Sequence, residues 1–118
     1  MAVQIWHNPR CSKSRQALKI VEESGAETEI RRYLDDPPST AELDRVLKML
    51  GMEPIQLARL KEGVAKELEL SGKDLPREEW LEVMVQHPIL IERPIVITED
   101  GRAVLGRPPE AVKEVLPG

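Results

Sequence analysis

The spacing of apolar and polar positions changes twice along the chain. AVQIW, residues 2–6, is a short alternating run; in the CSKSRQALKIVEESG segment that follows, Ala17, Leu18 and Val21 recur at helical spacing until Gly25 closes the pattern. TEIRRYL at 28–34 sets Ile30 among polar neighbours and contains β-branched and aromatic residues, which predicts a second strand. Strand, short helix and strand in this order imply a parallel pair joined by a right-handed crossover.

The period then becomes helical. DDPPSTAELDRVLKMLG places Ser39 three residues before Glu42, a capping-box pattern, and Leu43, Val46, Leu47 and Leu50 follow on one face. EPIQLARLKEGVAKELEL predicts a shorter helix opened by Pro54, with a continuation through 64–69. LPREEWLEVMVQHP predicts another, with Pro76 in its first turn, Trp80, Leu81, Met84 and Val85 on one side and Pro88 as the stop. Beyond it, 95–98 and 103–105 are β-prone runs around Asp100-Gly101, a hairpin signal, and PEAVKEVL closes the pattern as a helix from near Pro109. The expected architecture is α/β: a thioredoxin/glutaredoxin-like four-stranded mixed sheet with a helical insertion between the second and third strands. One domain over 1–118 is expected, its insertion covering approximately 38–90.

Composition narrows the function. With 17 Lys and Arg against 21 Asp and Glu the formal charge is −4, so nothing sequence-wide favours nucleic acid or an anionic membrane, and an anion site must be built locally. No apolar run approaches the roughly 20 residues of a membrane span, and MAVQIWHNPR lacks the pattern of a signal peptide; a cytoplasmic protein is expected. The single cysteine excludes an internal disulfide and a Cys-rich zinc site, and His7 and His87 have no metal-ligand spacing, so no metal and no bound cofactor are expected.

That cysteine, Cys11, falls where the first strand gives way to the first helix. Unpaired amides of the opening turn and the positive end of the helix dipole favour a thiolate there, and Arg10, Lys13 and Arg15 add local positive charge. Thiolate activation alone does not account for so many cations. Lowering a thiol pKa from about 8.5 to about 6.5 raises the thiolate fraction about 24-fold, and falling nucleophilicity returns about 6- to 10-fold of that gain. Basic groups meeting at this sulfur are better explained by an anionic substrate. Arg59 in LARLK, Arg93 before Pro94 and Arg107 in GRPP are the candidates, since the arginine fork suits tetrahedral oxyanions. His7 is a candidate to support the thiolate, the alternative being a ring that simply ends the strand in a hydrogen bond to backbone; Asn8 and Ser14 are candidates to orient the loop.

The motifs IWHNPRCSKSR, YLDDPP, LARLKE, QHPILIERPIVI and LGRPPEAV, in this order, resemble the glutaredoxin-dependent arsenate reductases of the thioredoxin-like superfamily. The resemblance covers nearly the whole chain and is greatest to a shorter, chromosomal, arsenate reductase-like branch. It implies Cys11 as nucleophile on arsenate, Arg59, Arg93 and Arg107 around the oxyanion, and a cis peptide between Arg93 and Pro94. It also implies reduction of arsenate to arsenite with glutathione as co-substrate and glutaredoxin as partner; separately, the chain is expected to act as a monomer. Arg10 and Lys13 stand where the resistance enzymes carry small or neutral residues, and would favour glutathione carboxylates or a related oxyanion. The competing expectations are a regulator resembling the Spx proteins that bind RNA polymerase, although their Cys-x-x-Cys switch here has Ser14, and a glutathione-dependent thiol reductase with another substrate.

Overall fold

The computed structural model describes residues 2–116, so the ends of the expected 1–118 span lie outside the described residues. The chain divides into two compact units, one comprising the segments up to Asp36 and from Arg93 onward, the other Pro37–Glu92.

The first unit carries the sheet. β1 (Ala2–Trp6) is followed by α1 (Ser12–Glu23), β2 (Glu27–Arg31), β3 (Ile95–Thr98) and β4 (Ala103–Leu105), and a terminal 3₁₀ helix spans Pro109–Val115. The strand order is β2-β1-β3-β4, with β1 parallel to β2, antiparallel to β3, and β3 antiparallel to β4. This is the expected thioredoxin-like mixed sheet. Side chains alternate across it, so Val3, Ile5 and Val96 share one face and pack with Ala17 and Val21 of α1 and with Val112 and Val115. Each such aliphatic side chain contributes about 1.5–3 kcal/mol when fully buried, and in a chain without phenylalanine they make up this core. On the opposite face Trp6 is buried, donates from Nε1 to Gln4 Oε1 at 2.8 Å, and lies under the Arg31 guanidinium at 5.6 Å. Gly25, at φ +82°, turns the chain out of α1 in a conformation that a side chain would strain.

The second unit is helical and is inserted between β2 and β3: α2 (Thr40–Leu50), α3 (Pro54–Leu57), α4 (Gly63–Glu67), α5 (Arg77–Gln86) and a 3₁₀ turn at Pro88–Leu90. The Ser39–Glu42 capping box is formed, and α2 buries Leu43, Val46 and Leu47 while α5 buries Trp80, Leu81 and Met84. A backbone clasp joins residues 57–59 to 90–92. Arg59 N donates to Leu90 O at 2.7 Å and Glu92 N to Leu57 O at 3.0 Å.

Three expectations change in detail. The second strand ends at Arg31 rather than 34, because the amides of Asp35 and Asp36 turn back to Arg32 O and Tyr33 is buried instead of continuing the strand. The segment opened by Pro54 makes two short helices. The closing element is 3₁₀, with Ala111 N bonded to Pro108 O three residues back.

Candidate active site

The loop that carries Cys11 is set by hydrogen bonds local to it. Asn8 Oδ1 accepts from Arg10 N at 3.0 Å and Asn8 O accepts from Cys11 N at 3.0 Å, while Asn8 N donates to Ser14 Oγ at 3.1 Å. Asparagine suits this turn because its side-chain oxygen stands in for a backbone carbonyl and accepts from the amide two residues ahead. The chain then enters α1 with Cys11 as N-cap in extended conformation, with no side-chain cap and no acid in the first turn. The amides of Ser14 and Lys13 therefore have no capping partner, and their positive ends beside the sulfur favour its thiolate.

Two arginines reach the loop from the same end of the sheet, because Trp6 at the end of β1 pairs with Ile95 at the start of β3. Ile95 pairs with Leu105 across β3 and β4, so Arg93 and Arg107, each two residues beyond, face one another; Arg107 Nε donates to Arg93 O at 2.8 Å. Arg107 Nη2 then lies 3.6 Å from Cys11 Sγ, and the buried Arg93 guanidinium also hydrogen-bonds the sulfur. The Arg93–Pro94 bond is cis, as the resemblance implies, and so is Arg107–Pro108. Burial pushes the Cys11 thiol up. The Ser14 amide, Arg93 through its hydrogen bond and its charge, and the Lys13 amide outweigh burial, and the pKa lies below the ordinary thiol value.

The charge that acts most on the thiol comes from a residue distant in sequence, not from the cations that adjoin it. Arg15 instead donates to Pro9 O at 2.9 Å, and the charge acting most on the thiol belongs to Arg93. His7 also differs from a thiolate partner. Its Nδ1 lies 2.7 Å from Ser14 Oγ, a side-chain hydroxyl rather than the backbone, and burial foremost, then Arg32 and Arg15, lower its pKa against the opposing pull of Glu22. Burial and the nearby cations disfavour the charged imidazole, and the ring meets the loop through Ser14.

Gly106 is a site residue that the pattern of the sequence did not single out. A Cβ built there would lie 2.7 Å from Pro94 Cγ and 3.0 Å from Val112 Cγ1, so only glycine admits this approach. Its amide donates to Pro94 O at 2.8 Å, and the pair fixes the strand end from which Arg107 extends. A glycine directly before an arginine at the end of a predicted strand is the signal that could have pointed to it. Arg59 belongs to the helical unit, where Glu62 and Glu92 hold its guanidinium; burial lowers its pKa, and the two carboxylates more than compensate.

Residues 6–115 match the model of the ArsC family. The chain belongs to that family. It is 47% identical to the uncharacterized protein YfgD of Escherichia coli, over 97% of this chain and 96% of that one. It is 44% identical to an arsenate reductase of Haemophilus influenzae, over 98% of this chain and all of the other, 100%. An arsenate reductase structure from Vibrio cholerae superposes with a TM-score of 0.93 at 44% identity, covering 98% of each chain. Among the described residues no helix is long and apolar enough to cross a membrane, and no group of three or more His, Cys, Asp or Glu is placed to hold a metal ion.

Proposed function

We propose that this protein is an arsenate reductase in which Cys11 is the nucleophile and Arg93 and Arg107 bind the oxyanion. The observation that carries this reading is the meeting of two guanidiniums, those of Arg93 and Arg107, at a sulfur that sits on the uncapped start of a helix. Such an arrangement does two things at once: it favours the thiolate over the thiol, and it offers donors to the oxygens of an anion brought against it. Arsenate, as a tetrahedral oxyanion, meets both.

The single thiol determines the rest of the reaction. Cys11 thiolate attacks arsenic(V), forming an S–As bond as hydroxide or water leaves, and the arginines balance the charge of the adduct. A glutathione thiolate then attacks the Cys11 sulfur. The S–As electron pair passes to arsenic, which leaves as arsenite in the +III state, and the two sulfurs are oxidised to a mixed disulfide. Glutaredoxin takes up the glutathione by thiol–disulfide exchange and restores Cys11. Such thiol donors belong to a reducing compartment, the cytoplasm. Arg59 enters this reading through the resemblance alone. Asn8, His7 and Ser14 act through the shape of the loop.

The test is a coupled assay that follows NADPH oxidation through glutathione reductase, with active glutaredoxin present and arsenate added last. Arsenate-dependent oxidation that disappears in Cys11→Ser supports the reading; none with the native chain overturns it.

A further inference from the structure

Beside the cysteine loop, in the sheet-bearing unit, is a cleft of about 360 Å³, within the roughly 300–1,000 Å³ range of small-molecule sites. His7 and Asn8, both buried, line its inner side. Its outer walls are Pro9, Arg10, Arg32, Leu34 and Asp35.

We infer that this cleft holds a carboxylate-bearing end of the thiol co-substrate, glutathione, with Arg10 and Arg32 as its carboxylate ligands. The inference rests on the reading of Cys11 as the sulfur that glutathione meets, and adds the place where the rest of that peptide docks. Three observations support it. First, among the described residues Arg10 and Arg32 make no side-chain ion pair or hydrogen bond. By contrast, Arg77 is tied to Asp44 and Glu53, Arg102 to Asp100, and Arg15 to Pro9 O. Two uncommitted guanidiniums in one concave site are suited to a carboxylate. Second, the cleft has an acid as well. Asp35 follows Arg32 through a tight turn, its amide on Arg32 O at 3.0 Å, and offers a partner for an ammonium group. The γ-glutamyl end of glutathione has one carboxylate for the two guanidiniums and one ammonium for Asp35, and Pro9 and Leu34 provide apolar contact for its backbone.

The third observation is reach. Arg10 directly precedes Cys11, so their Cα atoms are about 3.8 Å apart, and an extended tripeptide spans about 10 Å. A peptide anchored by one end in the cleft thus brings its central thiol to the Cys11 sulfur. The hydrogen bonds that Asn8 accepts from Arg10 N and Cys11 N keep the cleft wall and the sulfur in one turn. Lys13 is not among the lining residues. The carboxylate site suggested by Arg10 and Lys13 in sequence is thereby reassigned to Arg10 and Arg32.

The proposal is tested without arsenate, through formation of the mixed disulfide. Cys11 thiolate attacks one sulfur of oxidised glutathione, the S–S bond breaks, glutathione thiolate leaves and one glutathione remains on Cys11. Mass spectrometry gives the rate for the native chain and for the Arg10→Gln/Arg32→Gln double variant, with neutral 2-hydroxyethyl disulfide as the comparison reagent. The double variant should react about tenfold more slowly with oxidised glutathione, and within about twofold of the native rate with the neutral disulfide. Rising salt should slow only the native reaction with oxidised glutathione. Rates for the two disulfides that fall together, or a glutathione rate that does not fall, would overturn the docking site while leaving Cys11 as the nucleophile. A native Cys11 inert to both reagents would overturn the thiol reading and this proposal with it. Both arginines are exposed, and a thermal melt confirms that the variant is folded.

Discussion

Helices α1 and α2 are of nearly equal length, 12 and 11 residues, and begin in opposite ways. At α2, Ser39 Oγ accepts from Glu42 N and Ser39 N donates to Glu42 Oε1, both at 3.1 Å, and Glu42 adds a negative charge at the positive end of the dipole. At α1 the N-cap is a cysteine without a capping bond, the first turn holds no acid, and the amides of Lys13 and Ser14, left without a cap, favour the thiolate beside them. The same backbone property is thus satisfied internally in one helix and kept for an anion in the other. A helix start that omits the available stabilising residues marks where the chain does chemistry, and one that uses them marks where it holds itself together.

Exchanging the residue at the open start should separate those two roles most completely. Cys11→Ser should abolish arsenate-dependent turnover and alkylation by iodoacetamide. Serine is a preferred N-cap, so the melting temperature should stay level or rise. A Cys11→Ser chain that still reduced arsenate would mean that the thiol packs rather than reacts.

Next in size are the two arginines. Arg93→Ala or Arg107→Ala should lower kcat/KM for arsenate by about 10²–10³, the typical effect of removing one donor from a developing oxyanion. For Arg93→Ala the midpoint of alkylation against pH should also rise, since its charge and hydrogen bond lower the native thiol pKa. The sign for stability follows from the same shift. A thiol pKa depressed by folding contributes stability that is present above the unfolded thiol value and is lost as pH falls through the native one. His7, also depressed, acts in the same direction at lower pH, its contribution present above the unfolded imidazole value and lost as pH falls through the native one. Denaturant midpoints measured across these ranges should show stability falling with acid in both. A midpoint for Cys11 that ignores Arg93→Ala would break the link between the open helix start and the arginines.

A smaller effect is expected at Gly106, where function depends on packing. Gly106→Ala drives a Cβ against the Pro94 ring, and overpacking of this kind costs about 1–3 kcal/mol. The melting temperature should fall, and alkylation of Cys11 should change as Arg107 is displaced. Unchanged melting and alkylation would mean that the strand end adjusts freely.

The legibility of these features in the sequence follows the range of the physics behind them. Cys11 could be placed because the apolar period changes from strand to helix around it, and Ser39 because its cap is completed within three residues. Arg93 and Arg107 stood out as arginines at strand edges next to prolines. Their meeting at one sulfur depends on the β3–β4 register, which pairs Ile95 with Leu105. Arg10, Lys13 and Arg15 misled because nearness in sequence is not direction in space; Arg15 spends its guanidinium on Pro9 O, and the guanidinium facing the sulfur belongs to Arg93. Gly106 was hidden because its requirement is a contact with Pro94 and Val112 that local patterning does not express. The end of the second strand at Arg31 was missed for a similar reason, since burial of Tyr33 overrides its strand propensity.

The closed helix start offers the smallest effect and the sharpest contrast. Ser39→Ala removes the acceptor for Glu42 N, and such a loss costs about 1 kcal/mol. Chemical denaturation should show that loss as a lower midpoint at unchanged slope, since the surface exposed on unfolding is the same. Arsenate turnover and the pH midpoint of Cys11 alkylation should not move, because no bond of the cysteine loop runs through Ser39. Equal sensitivity of turnover to Ser39→Ala and to changes around Cys11 would erase the distinction between the two helix starts. Loss of stability without loss of turnover would instead confirm that one start serves the fold and the other the reaction.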